Sequence, residues 1–491
     1  MRAHRAILTT SLLLCATCGQ GESNDASSDI PPVFLIGMDG LEWDVMTPLL
    51  EAGRLPHFQA MIERGVAGGL ATFQPTFSPV VWTSMATGVT AAEHGVLNFS
   101  EVENGRLKQG GLPYTSNARK VPALWNIASE FDRSVLSVGW WVSWPAEPVN
   151  GRIMASYAAQ AQGQVFWKAG VWQEGLPEMT YPEELIADVL HLLEKGGPDG
   201  PLREGYNDYF SVVPGEPRKS ATDVDPWEFP RVRDSFFRIG YHGDRTHLEI
   251  FKQELGNEIA DLNMVYFGLP DVAGHFWWRY YQPEEFNYAI PQEHRELLQK
   301  RLDAAYLAAD EWLGQIVAAA PQNARFMIVS DHGMHASNRN NPNHPQSGAH
   351  EDAPPGVFIA AGPGIAKRGR LPEVEWKFPV QMGNRRYENV LQAPQRVGSV
   401  YDVTPTVLHW LGIPSAADMS GAPLLDLAAP SDSLATARAA VATHSNGFRA
   451  ATPPRIPSED ANAQFNSAFL DMLGYKDAAE AQAAQGNDKK D

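Results

Sequence analysis

The sequence predicts an α/β fold: a mostly parallel central sheet flanked by helices, with an inserted cap region. Three observations carry this. Apolar runs of strand length recur along the chain, separated by stretches of helical length and pattern. The runs are continuous rather than alternating, as expected of strands covered on both faces. Three of them stop at an acidic residue or an acid–histidine pair, and open α/β sheets bind ligands beyond the carboxyl ends of their strands.

Val33 to Met38 is the first core strand, and it stops at Asp39-Gly40. An aspartate there forms a turn, caps a helix or stands at a ligand site. Trp43 to Gly65 reads as helical with an interruption at Pro56, and Val66 to Thr72 as a strand. Ser78 to Thr87 is small and apolar throughout, so it reads as a buried helix, with Ser78 as N-cap and Pro79 at the first helical position. A helix start has unpaired N–H groups and partial positive charge. The Ser78 hydroxyl can therefore be a cap or a nucleophile facing a phosphate. His94 lies in a turn, and Val135 to Trp141 reads as another core strand.

Residues 151–243 are rich in Trp, Pro, Gly and Glu and read as an inserted cap or lid. Trp167, Trp172 and Trp227 would form its own small core. Asp244 to Glu258 reads as helix, and Ala260 to Gly268 as the strand before Asp271 and His275. A long amphipathic helix or helix pair spans Gln292 to Ala320. Phe326 to Ser330 is a strand that ends at Asp331-His332, and a loop rich in Asn, Pro and His leads to His350 and the strand Val357 to Ala361. An apolar helix lies within Tyr401 to Gly412. The tail, 428–491, reads as partly disordered, with a terminal helix near Phe465 to Gly474.

The 491 residues, 44% hydrophobic and 20% charged, supply ample core for one large α/β domain, taken here as 31–427. A net charge of −19 argues against nucleic acid or an anionic membrane surface as a partner. At the N-terminus Arg2, His4 and Arg5 precede an apolar run, Ala6 to Leu14, too short to span a bilayer. The only cysteines, Cys15 and Cys18, follow it. Residues 1–18 thus resemble a lipoprotein export signal, with a conventionally cleaved signal as the alternative, and 19–30 a flexible linker. The expectation is an exported protein, periplasmic or at the cell surface, held to the membrane by an N-terminal lipid anchor.

In a parallel sheet the strand ends share one edge, so Asp39, Asp271 with His275, Asp331 with His332, and His350 can converge. Carboxylates and imidazoles are the ligand set of zinc, or of manganese where carboxylates dominate. Two such ions about 4 Å apart can clamp the attacking and leaving oxygens of a phosphoryl displacement.

Met38-Asp39-Gly40, Ser78-Pro79 through Thr87-Gly88 with His94-Gly95, Pro270-Asp271-Val272-Ala273-Gly274-His275, Ser330-Asp331-His332-Gly333-Met334 and Gly348-Ala349-His350 together resemble the alkaline phosphatase superfamily. The nearest branch is that of the type I phosphodiesterases and nucleotide pyrophosphatases. The resemblance implies an alkaline-phosphatase-like core and metal-dependent hydrolysis of phosphodiesters or phosphomonoesters through a covalent phosphoserine. It implies two divalent ions, zinc with manganese as the alternative. Asp39, Asp331, His332 and the Ser78 oxygen would hold one, and Asp271, His275 and His350 the other. The family's nucleophile lies nine positions before the threonine of the Thr-Gly pair, which gives Ser78; Thr76 is the other hydroxyl. Sulfatases of the superfamily need Cys or Ser followed by X-Pro-Ser-Arg, which Ser78-Pro79-Val80-Val81-Trp82 does not supply. The expected partner is a phosphorylated small molecule or lipid head group. The alternatives are a phosphoryl or phosphoethanolamine transferase on the same core, and a non-catalytic surface metal-binding protein. His94, His335, His344 and Lys120 are read as packing or solvated side chains.

Overall fold

The computed structural model describes residues 30–103, 106–107, 114–156, 178–195, 205–215, 227–351, 354–372 and 397–450. The export signal, linker residues 19–29, Trp167, Trp172 and the terminal helix expected at 465–474 lie outside these residues.

The centre of the sheet is β1 (Val33–Met38), buried along its whole length. Its alternate residues feed two cores: Phe34, Ile36 and Met38 face one hydrophobic cluster, Val33 and Leu35 the other. That two-sided burial is why the run is continuously apolar. The other strands are β2 (Gly65–Ala71), β3 (Val135–Val138), β4 (Gly151–Met154), β5 (Thr180–Tyr181), β6 (Leu262–Phe267), β7 (Arg325–Val329), β8 (Gly356–Ala361), β9 (Gly369–Arg370) and β10 (Gly398–Ser399). They form one 10-stranded sheet in the order β9-β2-β8-β7-β1-β6-β3-β4-β5, with β10 beside β2. The sheet is mostly parallel; β8 is antiparallel to both neighbours, and β5 to β4.

Register brings the strand ends together. Met38 stands opposite Phe267, and Gly37 opposite Val329. The segments carrying Asp39, Asp271 and Asp331 therefore leave the sheet at one edge. The antiparallel β8 enters at that edge, just after His350.

Helices cover both faces. One layer holds α1 (Trp43–Glu51), α2 (Pro56–Glu63), α6 (Glu228–Asn257), α7 (Leu269–Tyr281) and α8 (Arg301–Ala319). The other holds α3 (Ser78–Thr87), α4 (Leu124–Glu130) and α9 (Val403–Trp410). A further helix, α5 (Leu185–Lys195), follows β5.

Three features differ from the sequence reading. The N-cap of α3 is Phe77, extended at φ −73° and ψ 118°, whose carbonyl accepts the N–H groups of Val80 and Val81. Ser78 is thus the first helical residue rather than the cap, and the Phe77 side chain makes no capping bond. The segment 151–243 is not wholly an insertion: Gly151–Met154 and Thr180–Tyr181 are sheet strands, and the helix expected to start at Asp244 starts at Glu228. Composition does not register this, because strand pairing and helix burial depend on partners remote in sequence. Of the tail, residues 428–450 pack back on the core. Ala428 bridges to Ile365, the Leu434 carbonyl accepts from His409 Nε2 at 3.0 Å, and His444 Nε2 reaches the Pro414 carbonyl at 2.9 Å.

Candidate active site

Asp39 follows β1 directly, and its N–H donates to the Phe267 carbonyl at 2.9 Å. Gly40 then turns with φ +66°, and a Cβ there would come within 2.7 Å of the Asp271 Cα. A side chain at position 40 would force these two ligand segments apart. Next, the Leu41 N–H donates to Ser330 Oγ at 3.0 Å, and Ser330 Oγ donates to the His332 carbonyl at 2.8 Å. The Glu42 carboxylate is buried and accepts the Met334 N–H at 2.9 Å. Burial pushes its pKa up to about 8, against the pull of the Asp44 and Met334 N–H groups. These bonds fasten the end of β1 to the end of β7.

Asp271 sits in the first turn of α7 and His275 one turn later. The start of α7 is held by Asp244 on α6, whose carboxylate accepts the Gly268 N–H at 2.9 Å and the Leu269 N–H at 2.7 Å. Replacing Asp244 with alanine would leave these N–H groups unsatisfied. It should lower stability by about 2–4 kcal/mol in denaturant unfolding; a change under about 0.5 kcal/mol would show that the cap does not hold α7.

The three acids and two of the three expected histidines converge in two overlapping groups, Asp39, Asp331 and His332, and Asp271, His332 and His350; His275 belongs to neither and stands beside Asp271. Within each group, the candidate ligand atoms lie within 4.8 Å of one another, and every residue is buried. His332 Nε2 is 3.4 Å from Asp39 Oδ1 and 3.2 Å from Asp331 Oδ2. His275 Nε2 is 3.3 Å from Asp271 Oδ1, and the His275 and His350 rings are 5.0 Å apart. Among these atoms, Asp39 Oδ1, Asp331 Oδ2 and His332 Nε2 are buried without a hydrogen bond.

The opposite sides of the same groups are well bonded. Asp39 Oδ2 accepts from Tyr266 Oη at 2.6 Å and Trp82 Nε1 at 3.0 Å. Trp82 can reach it because residue 37 is glycine: a Cβ there would stand 2.7 Å from the indole. His332 Nδ1 donates to the Gly333 carbonyl at 3.1 Å, and His275 Nδ1 to the Gly348 carbonyl at 3.0 Å. The loop before His350 is tied to α7: Ser347 N–H donates to the His275 carbonyl at 2.7 Å, and Arg279 donates to the carbonyls of Pro342 and His344 at 2.8 and 2.7 Å.

The charges are frustrated without a counter-ion. Burial and the neighbouring Asp271 raise the pKa of Asp39, and burial and Asp39 raise that of Asp331 far above the carboxylate range. Burial also opposes ionisation of Asp271, but His275 and His332 hold its pKa low. Burial lowers His275, yet Asp271 outweighs it and lifts the imidazole to about 9. Burial, His332 and His275 keep His350 neutral. Buried acids crowded this closely with imidazoles are a donor set suited to divalent cations.

Thr76 Oγ1 lies 2.8 Å from His350 Nδ1 and 2.9 Å from the His350 carbonyl. Two residues on, Ser78 is buried at the start of α3, and its hydroxyl has no hydrogen-bond partner among the described residues. Earlier in the chain Thr76 reaches His350, and Trp82, one helical turn after Ser78, reaches Asp39.

The remaining histidines stay outside these groups. His94 Nδ1 accepts the Val96 N–H at 3.1 Å, so its Nε2–H donates to Ser84 Oγ at 3.0 Å. Burial and Arg119 lower its pKa to about 3, so it packs as a neutral side chain. His335 bonds the carbonyls of Ala336 and Glu351, and His344 Nδ1 accepts the Gln346 N–H. Lys120 lies across Gly95. Sequence reasoning missed Trp82, Tyr266, Glu42 and Asp244. Their only sequence signal is a polar atom on a residue inside an apolar or helical run.

The family model described as type I phosphodiesterase / nucleotide pyrophosphatase matches residues 33–375. No curated protein matches the chain. Among solved structures, murine ectonucleotide pyrophosphatase / phosphodiesterase 5 in complex with AMP is 11% identical, with 81% of this chain and 100% of that one covered at a TM-score of 0.44. The human protein of that name is 12% identical, with 81% and 99% covered at 0.42. A phosphonate monoester hydrolase from Silicibacter pomeroyi is 14% identical, with 82% and 78% covered at 0.42.

Proposed function

We propose, from the premise that this chain belongs to the type I phosphodiesterase / nucleotide pyrophosphatase family, that it is a phosphoester hydrolase which uses Ser78 as nucleophile beside two divalent cations. The observation that carries the reading is the set of buried ligand atoms on Asp39, Asp331 and His332 that no hydrogen bond satisfies, beside an Asp271 oxygen met by His275 at 3.3 Å. Leaving them so costs several kcal/mol unless a cation takes their lone pairs. Asp39, Asp331 and His332 would hold one ion, with the Ser78 oxygen. Asp271, His275 and His350 would hold the other, with His332 between the two groups. Zinc is favoured by three imidazoles, manganese by three carboxylates. The ions, when bound, supply the positive charge that offsets phosphate oxygens and lowers the pKa of a nearby hydroxyl.

Ser78 is the proposed nucleophile because it is the first residue of α3, and a helix N-terminus carries partial positive charge that suits an anion. Its oxygen forms the new bond to phosphorus as the ester P–O bond breaks, and the departing alkoxide takes a proton. Water then attacks phosphorus as the Ser78 O–P bond breaks, releasing phosphate or a monoester, and a proton from that water restores the Ser78 hydroxyl. Thr76 is the weaker candidate, since its hydroxyl is engaged by His350. A phosphorylated small molecule or lipid head group is the proposed substrate class. Export with an N-terminal lipid anchor is the proposed location; no helix among the described residues is long and apolar enough to cross a membrane.

The direct test loads metal-stripped protein with zinc or manganese and assays p-nitrophenyl phosphate and bis-p-nitrophenyl phosphate. Turnover that appears only on loading, with a phosphoryl group trapped on Ser78, is expected. Equal turnover in chelator would sink the reading.

A pH effect accompanies loading. In metal-free protein the pKa of His275 is raised from 6.5 to about 9. The stability this pairing contributes is full below pH 6.5 and lost as pH rises through 9. A cation must displace that proton, so zinc affinity should rise across the same window, by up to about tenfold per pH unit. Titrations in a chelating dye at pH 6.5, 7.5 and 8.5 check this. A flat profile would remove His275 from the ligand set.

A further inference from the structure

We propose that Thr76 is a positioning residue that fixes His350 in the Nδ1–H tautomer. The hydroxyl of Thr76 contacts His350 twice, through Nδ1 at 2.8 Å and through the backbone carbonyl at 2.9 Å. A carbonyl can only accept, so the single hydroxyl proton goes to it. The Nδ1 contact must then run the other way, with Nδ1–H donating to Thr76 Oγ1. In a neutral imidazole this leaves the lone pair on Nε2, the nitrogen able to bind a cation.

The neighbouring imidazoles use the same arrangement with a different acceptor. His275 and His332 donate Nδ1–H to the carbonyls of Gly348 and Gly333. At His350 the acceptor is a hydroxyl, which could donate or accept, and its second bond to the same residue's carbonyl removes the ambiguity. Thr76 is fully buried, so water does not compete for either contact. The arrangement also uses both hydrogen-bonding sides of the hydroxyl, which makes Thr76 a poor nucleophile and leaves that part to Ser78.

The role in metal binding rests on the cation reading above, whereas the tautomer itself does not. Full-length protein with 15N-labelled histidine is compared with Thr76→Val and Thr76→Ser. In metal-free wild type, long-range 15N–1H spectra should show the Nδ1–H form of His350, retained in Thr76→Ser and lost in Thr76→Val. Zinc affinity by chelator competition should fall about 10- to 100-fold in Thr76→Val and return in Thr76→Ser. At saturating zinc, Thr76→Val should still trap a phosphoryl group on Ser78. A wild-type Nε2–H tautomer, unchanged zinc affinity in Thr76→Val, or a label on Thr76 would each overturn the proposal. Wild type that shows the Nδ1–H form but binds no zinc would sink the cation reading and leave the tautomer assignment standing. Should Thr76→Val fail to fold, the wild-type spectrum and Thr76→Ser still decide.

Discussion

Replacing Ser78 with alanine should lower kcat/KM for bis-p-nitrophenyl phosphate by roughly a thousandfold or more, with no phosphoryl group trapped on the protein. The size follows from the step removed. Without the serine oxygen no covalent intermediate forms, and only binding and charge neutralisation remain to help water attack directly. Stability should change little, because the Ser78 hydroxyl neither caps α3 nor bonds another described residue. Unfolding by denaturant beside steady-state kinetics separates the two effects. Thr76→Ala is the matched control. It should bind zinc more weakly yet retain turnover at saturating zinc. An inactive Thr76→Ala beside an active Ser78→Ala would reverse the nucleophile assignment.

His332→Ala should be the most damaging of the ligand substitutions. His332 alone belongs to both groups of candidate ligands, with Nε2 3.4 Å from Asp39 Oδ1 and 3.2 Å from Asp331 Oδ2. Its removal should weaken binding of both cations and lower kcat/KM by roughly a thousandfold, equivalent to about 4 kcal/mol. Metal analysis after dialysis should find wild type loaded and the variant largely empty. His335→Ala is the contrast, since that ring bonds only the backbone of Ala336 and Glu351 among these neighbours; its activity should stay within a few fold. If His332→Ala kept two ions and full turnover, the overlapping groups would not be the metal centre.

Much of this was legible in the residue pattern because burial leaves a strong mark. β1 and β6 are apolar on both faces because helices cover both faces, and their ends read directly as Asp39 and the segment before Asp271. The parallel pairing β1–β6 and β1–β7 then brings those ends together. The antiparallel insertion of β8 beside β7 was not legible, since an apolar strand does not record the direction of its neighbour. The supporting bonds were equally silent. Tyr266 and Trp82 look like core aromatics, and nothing local marks them as donors to Asp39. The start of α3 was displaced by one residue because Phe77, whose side chain cannot cap, provides a cap through its backbone carbonyl.

The sequence by itself determined the α/β class, the acids and histidines at the strand ends, and two hydroxyls at the head of one buried helix. Those follow from residue type and spacing, which act over a few residues. Tertiary structure decided how they are used. Packing of α3 against β1 across Gly37 puts Trp82 on Asp39, and the residues just before the helix put Thr76 on His350. A hydrogen bond between residues 274 positions apart depends on where the whole sheet places its edges, and no local pattern carries that information.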